Sequence, residues 1–201
     1  MMATFMKPPR PENAIPFDSI QTFESRGWWG QVKKNGTCSI IIVSPDGELT
    51  GYNRHGEIHK AWKFTDKSAK FFRKAAQPDG DTTFVAELLN NKVSDMRDIN
   101  YVHDILRDNG RVLYDRSYAY RYNRVREIFD PFATDETEDY YILDPNTWVA
   151  KNMTTGFVDR AKHLDRPEDE GLVFKNPKSV FSPHNKGWAV KYRKPTKNFG
   201  F

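Results

Sequence analysis

Short apolar runs bounded by charged or turn-forming residues constrain the fold of this chain most strongly. β-branched and aromatic residues fill several of them at lengths typical of strands: residues 38–43, 82–89, 99–106, 171–174 and 188–192. Helical spacing occurs between some of these runs, but no regular β-α-β alternation is present. Strands and helices mixed in this way predict an α+β domain with antiparallel sheets flanked by helices.

A hairpin is predicted near the N-terminal third of the chain. The apolar run at residues 38–43 is followed by Asp46-Gly47, and residues 49–54 then resume a strand pattern. Lys33 would therefore lie at the end of a strand or in the loop that leads into the hairpin. Residues 1–16 carry four prolines and are expected to be extended.

Three helices are predicted from caps and spacing. Asp66 is a candidate cap for a helix through about Ala76, with Phe71 and Phe72 facing the core. The second, at residues 117–129, ends before Pro131. Its apolar side chains recur at helical spacing: Tyr118, Tyr122, Val125 and Phe129. A weaker pattern covers residues 155–164.

Length and composition predict one domain over residues 1–201, with 38% hydrophobic residues to build a core. A single cysteine, Cys38, excludes an intrachain disulfide and a cysteine-rich zinc site. No signal-peptide pattern or membrane-length apolar run is seen, so a soluble cytoplasmic protein without a membrane partner is expected.

The charge distribution says more about partners than the net charge of +4. Residues 175–201 contain seven Lys or Arg and no Asp or Glu. A solvated tail and a phosphate-binding surface both fit such a run. Lys191 and Arg193 are two apart in a strand pattern, so both side chains would lie on one face and could meet phosphates together.

Glu87 interrupts an otherwise apolar strand pattern. A glutamate is rarely buried without a partner, so this position indicates either a functional carboxylate or a salt-bridged one in the core. Both interpretations remain open from the residue alone.

Five charged segments occur in a fixed order: residues 33–36, 53–57, 84–88, 170–175 and 188–193. This ordered set resembles the nucleotidyltransferase motifs of ATP-dependent polynucleotide ligases, which share a fold and a lysyl-nucleotide chemistry with mRNA capping enzymes. The resemblance runs from about Trp28 to Arg193, and residues 170–195 look most like small phage-type DNA ligases. It implies a ligase adenylation-domain fold. With eight residues after Arg193, a core without a C-terminal oligonucleotide-binding (OB) domain is expected.

The resemblance also implies a reaction centre. Lys33 matches the nucleophile that becomes lysyl-AMP, and the motif spacing selects it over its rival Lys34. A nucleophilic lysine attacks as the free amine, which burial and nearby positive charge favour. The residues implied to be catalytic are Lys33, Arg54, Glu87, Glu170, Lys175 and Lys191. Those implied to bind the nucleotide are Gln31, Val32, Lys33, Arg54, Glu87, His103, Lys175, Lys191 and Arg193. ATP and Mg²⁺ or Mn²⁺ are the implied cofactors, with Glu87 and Glu170 toward the metal.

Some positions depart from the pattern of DNA ligases. Gln31 stands where glutamate is common, and Cys38 where DNA ligases usually have arginine. His103 occupies the place of an aromatic residue that stacks on the adenine. The resemblance favours a DNA ligase that seals nicks in duplex DNA as a monomer, with a phage origin and action in the host cytoplasm also compatible. An RNA ligase acting on an RNA-containing duplex is the alternative. Two further alternatives rank below the RNA ligase: a GTP-dependent capping guanylyltransferase and a catalytically dead core that only binds nucleic acid.

Overall fold

The structure is a computed structural model, and it describes residues 5–60, 62–90, 96–181 and 186–195. The strands in this part of the chain are β1 (Asn13–Ala14), β2 (Trp29–Lys34), β3 (Thr37–Val43), β4 (Leu49–Tyr52), β5 (Thr82–Leu89), β6 (Ile99–Asp108), β7 (Arg111–Val112), β8 (Asp135–Glu136), β9 (Tyr140–Asp144), β10 (Thr147–Ala150), β11 (Asp169–Lys175) and β12 (Ala189–Arg193). The α-helices are α1 (Ile20–Ser25), α2 (Asp66–Arg73), α3 (Tyr118–Phe129) and α4 (Phe157–Lys162). Single 3-10 turns lie at Phe17–Ser19, Asp130–Phe132 and Lys186–Trp188.

The strands form two sheets. The small sheet has the order β1-β12-β11-β2, and the large sheet has the order β4-β3-β5-β6-β10-β9-β8 with β7 paired to β6. Strand pairs are antiparallel except β1 with β12 and β6 with β10. The predicted α+β class with antiparallel sheets and flanking helices is confirmed.

The large sheet is covered on both faces. Phe84 in β5 packs on one face against Phe72 of α2 and Phe129 of α3. Ile40 and Val85 point to the other face, where Met6 joins them. Coverage on both sides explains why β3 and β5 are almost continuously apolar. Each fully buried aliphatic or aromatic side chain contributes about 1.5–3 kcal/mol by leaving water.

The small sheet buries only one face against helices. Leu172 and Phe174 of β11 pack with Ile20 of α1 and Phe157 of α4. The intervening residues of the same strands point the other way, toward the large sheet, because side chains alternate along a strand. The space between the two sheets is therefore lined by the polar positions of β2, β11 and β12.

Most predicted elements are present with shifted ends. The hairpin is formed by β3 and β4, and β5 has the expected bounds. The cap assigned to Asp66 is wrong: Thr65 is the capping residue and its Oγ1 accepts from the Ser68 N–H at 3.2 Å, so Asp66 is the first helical residue. This helix also ends at Arg73, earlier than predicted. Trp188 lies in a 3-10 turn before β12 instead of in a strand.

The N-terminal and C-terminal ends are only partly described. Residues 5–12 carry no helix or strand, and the pairing of Asn13–Ala14 as β1 was not expected. Residues 1–4 and the end of the basic run, residues 196–201, lie outside the described part, as do residues 182–185 within that run. No helix in the described residues combines the length and apolar character needed to cross a membrane.

Candidate nucleotide-binding cleft

The two sheets enclose a cleft of about 1390 Å³. All of the residues that the sequence singled out line it: Gln31, Val32, Lys33, Arg54, Glu87, His103, Glu170, Lys175, Lys191 and Arg193. They come from β2, β5, β6, β11, β12 and the loop after β4. Residues far apart in the chain thus converge on one cavity between the sheets.

Lys33 and Arg193 share one carboxylate. Lys33 lies in β2 across from Gly171, and Gly171 lies across from Arg193 in β12. Glu170 accepts a hydrogen bond from the Lys33 Nζ through Oε2, and its Oε1 lies 2.7 Å from Arg193 Nε. Because the Lys33 and Glu170 side chains are 22% and 24% exposed, this ion pair is open to a ligand in the cleft.

A β-bulge directs Glu170 into the cleft. Asp169 pairs with Lys34 and Gly171 pairs with Lys33, so Glu170 is an extra residue on β11. In a regular strand Glu170 and Lys175 would point to opposite faces, since their spacing is odd. Gly171 is required here, because a Cβ atom would lie 1.9 Å from the Tyr192 carbonyl oxygen.

Lys34 has a different environment from its neighbour. Its side chain is fully buried, with Nζ 2.5 Å from Asp169 Oδ1 and 3.6 Å from Glu168 Oε1. Arg160 also contacts Asp169, at 3.2 Å. The Lys34 ammonium is therefore held in an internal ion-pair network, while the Lys33 ammonium faces the cleft.

Lys175 occupies the deep end of the cleft. Its Nζ donates to Gln31 Oε1 at 2.7 Å and lies 3.4 Å from the Tyr118 hydroxyl. Burial lowers the pKa of the Lys175 ammonium to about 8, although the Asp104 carboxylate opposes this shift. Since Gln31 turns its amide oxygen to Lys175, its Nε2 is left buried without a hydrogen-bond partner in the described structure.

His103 belongs to β6 and lies beside Lys175 of β11. Burial and the Lys175 charge lower the pKa of the imidazole to about 3, so the ring is neutral at neutral pH. Its Nδ1 is buried and has no hydrogen-bond partner among the described residues. The deep end thus presents a neutral ring and an unpaired amide N–H₂, which suit an uncharged heterocycle better than a phosphate.

Glu87 fixes the turn after Lys33 to the large sheet. Its Oε1 accepts from the Gly36 N–H at 3.0 Å. Gly36 packs so closely that a Cβ atom would lie 2.5 Å from the Leu88 carbonyl oxygen, which explains why a glycine is needed after Asn35. Burial and the Glu87 charge raise the pKa of the adjacent Cys38 to about 11. Cys38 is therefore a neutral thiol.

The donor set fits a metal that arrives with a phosphate ligand. No group of three or more His, Cys, Asp or Glu side chains suited to hold a metal is found in the described residues. Mg²⁺ is commonly held by one or two carboxylates together with substrate phosphates and water. Glu170 and Glu87 both line the cleft, and their carboxylates are the groups that would hold such an ion.

Two residues of the cleft, Asp104 and Arg10, were given no role from the sequence. Asp104 forms a buried ion pair with Arg121, with Nε to Oδ1 at 2.9 Å. Burial raises the pKa of Asp104, but the charges of Arg121 and Lys175 outweigh this and hold it below its ordinary value. Asp104 interrupts an apolar strand, as Glu87 does, and that signal could have found it. Arg10 also lines the cleft, and no pattern marked it.

Comparison with solved structures defines the fold as that of DNA ligase catalytic domains. The ligase domain of M. tuberculosis LigD matches with a TM-score of 0.57 at 16% identity, over 87% of this chain and 57% of that one. A mycobacterial DNA ligase D complexed with ATP and MES gives 0.53 at 15% identity, over 83% of this chain and 54% of that one. A Lig E DNA ligase gives 0.54 at 13% identity, over 84% of this chain and 62% of that one.

The chain therefore spans less than two thirds of the length of each of these structures. At these identities the likeness establishes the fold, and it confirms the ligase-type fold expected from the five segments. No protein-family model and no curated protein matches the chain.

Proposed function

We propose that this chain is an ATP-dependent polynucleotide ligase, and most specifically a DNA ligase that seals nicks in duplex DNA. The observation that carries the proposal is the placement of Lys33 in the cleft against Glu170, with Lys191 and Arg193 lining the same wall. A nucleophilic amine, a carboxylate and two further cations meet there. Such a group suits attack on a nucleoside triphosphate.

In the first step, the Lys33 amine attacks the α-phosphate of ATP. A bond forms between Nζ and phosphorus, the bond to the bridging oxygen breaks, and pyrophosphate leaves. Glu170 accepts a hydrogen bond from Nζ, so its carboxylate is placed to hold the proton that the amine must lose. Mg²⁺ or Mn²⁺, held toward Glu170 and Glu87, would offset phosphate charge when bound.

In the later steps, AMP passes from Lys33 to a 5′-phosphate at the nick. The 3′-hydroxyl then attacks that phosphate and AMP leaves. Arg54 lies exposed at the edge of the cleft, and a guanidinium there suits phosphate contact. Lys191 and Arg193 are two residues apart in β12 and therefore lie on the same face, where both can contact phosphate oxygens.

The deep end of the cleft would receive the base. His103 lies in this region, and the Gln31 N–H₂, unpartnered among the described residues, needs an acceptor, which a purine ring nitrogen provides. The side chain of Val32 packs against the helices, so only its backbone is available to the nucleotide. A structural neighbour is complexed with ATP, and several neighbours are DNA ligases, which supports ATP and DNA as the ligands. We expect the protein to act as a monomer in the cytoplasm.

An RNA ligase is the second candidate. Cys38 stands where DNA ligases usually carry arginine, and its neutral, partly buried thiol offers no phosphate contact. Asn35 also favours this alternative, because the resemblance to DNA ligases would more usually place an aspartate there.

The test is nucleotide labelling followed by a chase. The protein is incubated with α-labelled ATP or GTP and Mg²⁺, and a covalent adduct is sought on a denaturing gel. The adduct is then chased with nicked duplexes of DNA or with RNA at the nick. Labelling by ATP and release by nicked DNA are expected. Labelling by GTP alone indicates a capping-type enzyme, release by the RNA-containing duplex alone indicates an RNA ligase, and no labelling indicates a binding protein.

A further inference from the structure

The N-terminal segment crosses from one sheet to the other. Met6 is buried in the core on the cleft side of the large sheet, and the Tyr114 hydroxyl donates to the Lys7 carbonyl at 3.3 Å. Six residues later, β1 pairs with β12 of the small sheet, and the Ile15 N–H donates to the Lys191 carbonyl at 2.9 Å. Residues 7–12, the N-terminal strap, all line the cleft between these two anchors.

Prolines stiffen the strap on both sides of Arg10. Pro9 and Pro11 have fixed φ angles, and a residue that precedes proline is biased toward extended backbone. With both ends of the strap attached to sheets, few conformations remain for Arg10. Little backbone conformational entropy is then lost when its side chain binds a ligand.

The cleft contains more positive charge than its own carboxylates neutralise. Lys33 and Arg193 share Glu170, and Lys34 pairs with Asp169. In contrast, the side chains of Arg10 and Lys191 make no hydrogen bond or ion pair in the described structure. Partial burial and the charges of Arg193, Lys33 and Arg10 lower the pKa of Lys191, although Glu170 opposes this. The cations therefore act on one another across the same space.

We propose that Arg10 is a phosphate-binding residue of the cleft, held in place by the N-terminal strap. None of the five charged segments includes it, so the resemblance to ligases assigns it no role. A guanidinium suits phosphate because its fork can donate two parallel hydrogen bonds. The phosphate belongs to the nucleoside triphosphate or to the polynucleotide, and this assignment rests on the proposed ligase function.

The experiment compares Arg10→Ala and Arg10→Lys with the wild type and with Arg26→Ala. Arg26 is exposed, lies outside the cleft and makes no side-chain hydrogen bond or ion pair among the described residues, so its loss removes the same charge elsewhere. One arm measures the ATP concentration that gives half-maximal adduct formation. The other arm measures the affinity of the purified adduct for a nicked duplex as salt is varied.

Arg10→Ala is expected to weaken at least one arm by roughly tenfold, the scale of a charged hydrogen bond. Arg10→Lys should keep part of the effect, and Arg26→Ala should match the wild type. A change confined to the ATP arm assigns the triphosphate as ligand. A change confined to the duplex arm, with a salt slope shallower by about one, assigns the polynucleotide.

Equal behaviour of Arg10→Ala and Arg26→Ala in both arms overturns the proposal. A failure of the ligase function is distinguishable, because the wild type would then form no adduct. Equilibrium titration of both variants with ATP and with nicked duplex still decides the role of Arg10 in that case. Thermal melting checks that Arg10→Ala is folded, as expected for an exposed side chain.

Discussion

Two adjacent lysines of β2 form two ion pairs of very different kinds. Lys33 meets Glu170 at the open surface of the cleft, and Lys34 meets Asp169 in the protein interior. Both pairs join an ammonium group on β2 to a carboxylate on β11. The exposed fractions differ: 22% and 24% for the open pair, against zero for both side chains of the buried pair.

The buried pair belongs to a larger network that ties the sheets together. Arg160 of α4 bridges Asp169 and Asp139, with Nη2 2.6 Å from Asp139 Oδ2. Asp139 directly precedes β9 of the large sheet, whereas Asp169 begins β11 of the small one. Removing one member leaves an uncompensated buried charge, so these groups cannot exchange partners readily. The open pair can exchange carboxylate for phosphate at low cost.

Lys33→Ala is expected to have the largest effect, a loss of adduct formation. Without the attacking amine, adduct formation with labelled ATP should fall by more than roughly a thousandfold. Stability should change by less than about 1 kcal/mol, because the lost ion pair is partly exposed. Sealing of a nick that already carries AMP should partly survive, since Lys33 acts as nucleophile only in the first step. A wild-type level of adduct in Lys33→Ala would show that another residue is the nucleophile.

Lys34→Met should lower the stability of the fold, because it breaks the buried ion pair. Methionine keeps the length of the side chain but leaves Asp169 with Arg160 alone, so the free energy of unfolding should fall by about 3 kcal/mol. Urea unfolding followed by circular dichroism measures this loss. Lys33→Met is the matched control on the same strand and should lose less than about 1 kcal/mol. If the two variants are equally stable, the distinction between the two pairs does not hold.

Glu170→Gln tests whether the open pair is used in chemistry. The amide keeps the shape but loses the charge that contacts Lys33 and Arg193, so adduct formation should slow by roughly a hundredfold. The exposed Glu48, outside the cleft, provides a control as Glu48→Gln. Single-turnover labelling at saturating ATP measures the rate. A Glu170→Gln rate equal to the control would remove this carboxylate from the reaction.

The fold class was predictable because strand and helix patterns are periodic in the sequence. The residues that line the cleft were indicated by the resemblance of the five charged segments to ligase motifs. The sequence could not predict how Glu170 enters the cleft. The odd spacing between Glu170 and Lys175 contradicts a shared face in a regular strand. The bulge depends on how β11 aligns with β2, and alternation along one strand cannot reveal that.

Other features depend on distant partners and leave no local pattern. β1 has two residues and pairs in parallel with β12, about 175 residues further along the chain. In the sequence, Arg121 looks like an ordinary polar residue of a helix. In the structure it is fully buried against Asp104. The motif spacing distinguishes Lys33 from Lys34, but the ion-pair network that buries Lys34 appears only in the folded structure.

The smallest expected effect concerns the deep end of the cleft, where the comparison of open and buried groups becomes a pH dependence. The pKa of His103 is about 3 in the folded protein, below its ordinary value of 6.5. Between these values the unfolded chain binds a proton that the folded chain does not, so stability falls as the pH is lowered from 6.5 toward 3.

His103→Asn removes this titration, and its loss of stability between pH 7 and pH 5 should be smaller than that of the wild type by about 1–2 kcal/mol. Urea unfolding at the two pH values measures the difference. His163→Asn is the control, because His163 is an exposed histidine at the end of α4 and should leave the wild-type dependence unchanged. If the two variants show the same loss on acidification, His103 is not held neutral by the fold. The His103 ring would then carry a charge in part of this pH range. Its neutrality could no longer be used as the reason for placing the base at the deep end of the cleft.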